Sequence, residues 1–150
     1  MSIKSQQNNM HRLHELLNQD LSYIWGERES GPNGTKKTFL NVGKVFLRAL
    51  AKDLGLRDVV VKSNAAGIGT SGECFLYGMW ETHGVYIEIS QFTGSKGNVI
   101  LYRSIRNLRD NRRDGYNNFI RLHELESMGY EQLLDRLGSL RRDYAYGRAA

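Results

Sequence analysis

Glu73-Cys-Phe-Leu-Tyr-Gly-Met-Trp80 runs into Glu81-Thr-His-Gly84 and then into Val85-Tyr-Ile-Glu-Ile-Ser90. The outer stretches alternate, and the four residues between them are polar or glycine. A two-residue period sends successive side chains to opposite faces of a strand. Cys74, Leu76 and Trp80 therefore point one way, and Phe75, Tyr77 and Met79 the other. Val85, Ile87 and Ile89 alternate with Tyr86, Glu88 and Ser90 in the same manner. Glu81–Gly84 then reads as a hairpin loop. After a polar, glycine-containing loop at 93–97, residues 98–105 repeat the pattern, with Val99 and Leu101 opposed to Ile100 and Tyr102. Three successive strands on short loops predict an antiparallel meander. The β-branched stretch at 57–63 predicts a fourth strand, at an edge of the sheet.

Outside this core the period lengthens. Met10, Leu13, Leu17, Leu21 and Ile24 recur at three- and four-residue steps, predicting an amphipathic helix over residues 7–28. Residues 29–34, Glu-Ser-Gly-Pro-Asn-Gly, form a loop. Thr35 is placed to cap a second helix carrying Phe39, Phe46, Leu50 and Leu54, and Gly55 suits its left-handed stop. Leu133, Leu134, Leu137 and Leu140 mark a last helix at 130–142. The expected class is α+β: two N-terminal helices, a four-stranded mainly antiparallel sheet and a C-terminal helix, with helices on one face of the sheet. Residues 1–143 are expected to form one domain, and 144–150 a mobile tail.

The chain has 150 residues, 40% hydrophobic and 25% charged, which is globular rather than disordered composition. Its one cysteine, Cys74, allows no intramolecular disulfide. There is no apolar signal region at the polar N-terminus, and no run approaches the ~18 apolar residues of a membrane span. The expected setting is cytoplasmic.

The net charge is +5. Residues 96–121 hold seven basic side chains, Lys96, Arg103, Arg106, Arg109, Arg112, Arg113 and Arg121, against Asp110 and Asp114. This window accounts for the whole surplus; elsewhere acid and base balance. Concentrated positive charge attracts phosphates and acidic partners, and the planar arginine fork matches phosphate oxygens in pairs. Arg103, Arg106, Arg109 and Arg112 are spaced by three, so a helical segment would gather them on one side. If the segment is a loop, Asp110, Asn111, Asp114, Gly115, Asn117 and Asn118 supply its turn chemistry. Tyr102 and Tyr116 flank the stripe, and Tyr77 and Tyr86 are expected to share a face with Tyr102. Rings beside arginines permit base stacking on a single strand. The bland alternative is that Asp110 and Asp114 neutralise part of the stripe and the tyrosines simply pack under helices.

Other motifs carry less. Gly67-Ile-Gly-Thr-Ser-Gly72 matches G-x-G-x-x-G, but residues 73–80 alternate like a strand, whereas a dinucleotide site needs a helix there. His11 and His14 lack the further ligands of a zinc site. His83, in the expected hairpin loop, and His123, beside Glu124, have the chemistry of a general acid or base but no adjacent nucleophile. Cys74 alternates inward and reads as a buried thiol. No catalytic residue, cofactor or metal is expected.

The stretch from Val61 to Leu122 resembles small uncharacterised proteins encoded by phages and conjugative elements. The resemblance rests on Ala66-Gly-Ile, Ser71-Gly-Glu73, Leu76-Tyr-Gly-Met-Trp80, Leu101-Tyr-Arg-Ser104 and Asp114-Gly-Tyr-Asn-Asn118. It implies a host-interaction role, including inhibition of a nucleic-acid-handling defence complex by protein–protein contact. The outline also resembles RNA-cleaving toxins, which would use Arg106, Arg109 and His123. The leading expectation is a non-enzymatic binding protein that engages DNA, RNA or a nucleoprotein complex through Tyr102, Arg103, Arg106, Arg109, Arg112, Arg113, Tyr116 and Arg121.

Overall fold

A computed structural model describes residues 3–18, 35–64, 72–91, 98–109 and 116–142. Their order is α1 (Ile3–Leu17), α2 (Thr35–Asp53), β1 (Arg57–Asn64), β2 (Gly72–Met79), β3 (Gly84–Gln91), β4 (Asn98–Ile105), β5 (Asn118–Arg121), α3 (Leu122–Ser127) and α4 (Tyr130–Arg142). The class is α+β, as the periodicity indicates. The sheet has five strands rather than four, in the order β1-β2-β3-β4-β5, every neighbouring pair antiparallel. β1 is an edge strand, as expected. The added strand β5 takes the other edge, and α3 is a helix beyond the expected three. The first helix begins at Ile3, ahead of its apolar stripe; Leu21, Ile24 and the loop at 29–34 lie outside the described residues, as does the tail at 144–150.

Cross-strand register assigns the two faces. Cys74 faces Ile89, Leu76 faces Ile87, Ile87 faces Tyr102, and Ile100 faces Ile120. These residues join Met10, Leu13, Phe39, Phe46, Leu47, Leu50, Tyr130, Leu133 and Leu137 in one buried core. All four helices contribute to that core, so they cover this one face. α2 lies over β1 and β2, α4 reaches β4, and α1 packs on α2, α3 and α4.

Polar ties register the helices against each other. Gln6 is fully buried; its Nε2 donates to the Phe46 carbonyl at 3.1 Å and to the Tyr130 hydroxyl at 3.2 Å. Tyr130 in turn donates to Asp53 Oδ2 at 2.6 Å, and burial together with that carboxylate pushes its own pKa up. One tyrosine on α4 thus joins α1 to α2, and a buried hydroxyl with both partners present avoids the ~1–3 kcal/mol cost of an orphaned polar group.

The end of α2 is a Schellman motif: Leu56 N–H donates to the Ala51 carbonyl at 3.0 Å and Gly55 N–H to the Lys52 carbonyl at 3.0 Å. Gly55 holds φ +73°, the left-handed conformation that this stop requires. Asp58 also sits at positive φ, 55°, where the β1–β2 register shifts between Arg57 and Val60. A short side chain tolerates that conformation, and the kink blunts the β1 edge.

Gly84 opens β3 so close to its neighbour that an added Cβ would fall 2.1 Å from the Gly78 carbonyl oxygen and 2.7 Å from Met79 Sδ. Gly138, inside α4, has nothing within 4 Å of the same position. Urea denaturation should separate the two: Gly84→Ala is expected to lose ~3 kcal/mol through overpacking against backbone, while Gly138→Ala should gain ~0.5–1 kcal/mol from helix propensity. Equal effects would contradict this packing.

Candidate functional site

The expected arginine stripe begins at the end of β4, and strand parity divides it there. Tyr102 faces Ile87, so it belongs to the helix-covered face; it is buried, and its hydroxyl accepts a hydrogen bond from Arg136 Nε at 3.0 Å. Tyr77 pairs with Tyr86, and Tyr86 with Arg103, on the opposite face. The expectation that Tyr77 and Tyr86 share a face with Tyr102 is therefore corrected: Ile87↔Tyr102 and Tyr86↔Arg103 are adjacent pairs, and adjacent pairs alternate sides.

Arg103 is not a surface cation. It is 2% exposed, its guanidinium carbon lies 4.4 Å from the centre of the Tyr86 ring, and Nη1 donates to Asn117 Oδ1 at 3.3 Å. Tyr86, 1% exposed, donates its hydroxyl to Glu88, whose other oxygen accepts from Ser90 Oγ at 2.9 Å. Phe75 and Tyr77 pack around the same ring, with centroids 6.3 and 5.0 Å away. Tyr86 is thus bound at both ends, its face to a cation and its hydroxyl to a carboxylate. A buried guanidinium is tolerable only when its charge is met in this way. Arg103 serves the sheet's second face as an internal ion.

The remaining candidates reach solvent. Arg106 and Arg109 are exposed in the bend and turn that follow β4. The segment is not helical there: Asn107 Oδ1 accepts from Arg109 N–H at 2.8 Å, the turn chemistry of an Asx residue. The three-residue spacing therefore does not gather Arg103, Arg106 and Arg109 on one side. Arg112 and Arg113, with Asp110 and Asp114, lie outside the described residues. Tyr116 is 40% exposed, and Arg121 ends β5 exposed.

The register places these groups. Tyr102 pairs with Asn118 and Asn98 with Arg121, so Tyr116 lies towards the end of β4 from which Arg106 departs, and Arg121 at the other end. The span from Tyr116 to Arg121 is roughly 16 Å at about 3.3 Å per residue. Between them stands Phe119, 42% exposed, opposite Leu101 and on the same face as Asn117 and Arg121. Sequence reasoning misses Phe119 because Asn117-Asn118 before it carry turn chemistry. Its one signal is an aromatic residue alternating with Ile120.

His123 stands beyond the Arg121 end of β5, whereas Arg106 leaves the opposite end of β4. The structure does not bring Arg106, Arg109 and His123 together. His123 borders an open cleft of about 420 Å³ between α3 and α4, with Glu124, Asp135 and Arg136. Two of the cleft's charges are paired with each other: Arg136 Nη1 holds Glu124 Oε2 at 3.1 Å, and Arg136 Nη2 donates to the Phe119 carbonyl at 3.1 Å. His83 is likewise structural, 4% exposed rather than open in a loop. Its Nε2 lies 2.7 Å from the Leu140 carbonyl oxygen, which only accepts, so this nitrogen carries the proton and Nδ1 accepts from Thr82 Oγ1 at 3.0 Å. Cys74 is buried, its thiol 3.6 Å from the Leu40 carbonyl, and burial pushes its pKa up to about 12. Such a thiol is a poor nucleophile. Gly67–Ser71 lies outside the described residues, and Gly72 opens a strand. Among the described residues, no three His, Cys, Asp or Glu side chains come together as a metal site, and no helix is long and apolar enough to cross a membrane.

No protein-family model, curated protein or solved structure matches this chain.

The Arg121 backbone N–H and then Arg136 hold the Glu124 carboxyl below its ordinary 4.5. A carboxyl with a depressed folded-state pKa stabilises fully above its unfolded value, and that contribution is lost as pH falls through the folded-state pKa. Glu124→Gln should therefore lower the melting temperature at neutral pH but lose less than wild type on acidification from about pH 5 to pH 2. Parallel acid limbs for the two proteins would refute the pairing.

Proposed function

We propose that this protein binds nucleic acid without catalysing a reaction, through the exposed margin formed by the turn after β4 and strand β5. The observation that carries this reading is the set of exposed Arg106, Arg109 and Arg121 flanking two exposed rings, Tyr116 and Phe119. Arginine contributes paired hydrogen bonds and charge towards phosphate, and counterion release from the strand supplies free energy. The local surplus of positive charge in residues 96–121 supports the same reading, since among its described arginines Arg103 lies inside the sheet while Arg106, Arg109 and Arg121 are exposed.

A salt series tests this. Log affinity for DNA or RNA should fall linearly with log salt, and joint replacement of Arg106, Arg109 and Arg121 by alanine should reduce the slope by about 2–3. Arg103→Met should leave the slope unchanged while lowering stability. The absence of binding to single- and double-stranded DNA and RNA at low salt would overturn the reading. Salt-tolerant co-purification with a host protein complex, in that case, would favour the inhibitor role instead.

A further inference from the structure

Resting on the nucleic-acid reading above, we infer that the strand engaged at this margin is unpaired and that one of its bases stacks on Phe119. An aromatic ring at 42% exposure on a sheet is unsupported by the core, yet the backbone beneath it is held from several sides. Phe119 pairs with Leu101 across the strands, and its carbonyl accepts from Arg136 Nη2 at 3.1 Å. One residue earlier, Asn118 Nδ2 donates to the Tyr102 carbonyl at 3.3 Å and to the Tyr116 carbonyl at 3.1 Å. Both exposed rings therefore project from ordered backbone and retain only two side-chain torsions each. Preorganisation of this kind lowers the entropy lost on binding.

The shape of the face selects the strand. Among the described residues all four helices lie on the other side of the sheet, so none of them is presented here to enter a major groove. The faces of paired bases are hidden inside a duplex; a ring on a sheet reaches them only when the strand is single and the base is turned out. Leu101, half-buried beside Phe119, extends the apolar floor. Arg121 stands two residues along β5 on the same side, about 7 Å away, and Arg106 and Arg109 lie towards the opposite end. A strand running along β5 would meet Arg121 and then the Phe119 ring on one face, with Tyr116, Arg106 and Arg109 beyond the far end of β5.

Fluorescence anisotropy at low salt, with labelled oligo(dT) and oligo(U) about twelve nucleotides long and a duplex of equal length, tests this. Single strands should bind at least tenfold tighter than duplex. Phe119→Ala should weaken single-strand binding on the order of tenfold or more without altering the salt slope, and Phe119→Trp should restore it. Circular dichroism melting of each variant separates lost binding from lost fold. Duplex binding as tight as single-strand binding, or a folded Phe119→Ala variant with unchanged affinity, would overturn this inference and leave the electrostatic reading standing. No binding to any probe would overturn both.

Discussion

Trp80 and His83, at the two ends of the β2–β3 turn, each donate a hydrogen bond to a carbonyl near a helix C-terminus. Trp80 Nε1 meets the Leu54 carbonyl at 2.8 Å, just past α2, and His83 Nε2 meets the Leu140 carbonyl at 2.7 Å, in the last turn of α4. The last four carbonyls of a helix have no partner within it, and leaving a buried one unsatisfied costs roughly 1–3 kcal/mol. The turn itself is closed by Trp80 N–H on the His83 carbonyl at 2.8 Å, and the two rings meet edge to face at 5.7 Å. Glu81, between them, pairs with Arg141 on α4. One hairpin therefore sets where α2 and α4 stop relative to the sheet, and the Gln6–Tyr130–Asp53 connection sets how those helices meet α1.

Once the helices are placed, the sheet has no freedom in the assignment of its faces. Leu76, Ile87 and Tyr102 must face the helices, so Tyr77, Tyr86 and Arg103 must face away. That geometric necessity, rather than affinity for an outside ligand, accounts for the place of Arg103. Its guanidinium is met by the Tyr86 ring and Asn117 Oδ1, and Tyr86 is held in turn by Glu88. The basic segment is consequently two things: an internal cation at Arg103, and an external set that starts at Arg106, where the strand ends.

The strands with several alternating pairs were legible from period alone: β2, β3 and β4 lie within a residue of their expected bounds, and Thr35, Gly55 and residues 130–142 mark α2 and α4. β5 was not, because four residues give period two only a single inward side chain, Ile120, and Asn117-Asn118 before it carry turn chemistry. α3 is six residues long, too short for a helical stripe. The candidate site was half legible. Exposed Arg106, Arg109, Tyr116 and Arg121 follow from polarity and loop signals. The roles of Tyr102 and Arg103 depended on register, which fixes faces only when the pairing strand is known. Reading the three-residue arginine spacing as helical applied one element's period to a strand that runs to Ile105 and to the turn after it. His83 misled for a related reason: a histidine in a hairpin loop looks exposed until the helix that packs over the turn is in place.

β5 is an edge strand, and an edge invites either a strand added along it or a ligand laid across its face. Two features argue against the first. Four residues offer few backbone groups, and the Phe119 carbonyl is already taken by Arg136, which also holds Tyr102 and Glu124. The same guanidinium that occupies the edge orders the backbone from which Phe119 projects. What β5 presents is therefore its side-chain face, with the Phe119 ring beside Arg121, and on the proposed reading this suits a flat, charged, stacking ligand better than an extended peptide that would need free main-chain partners.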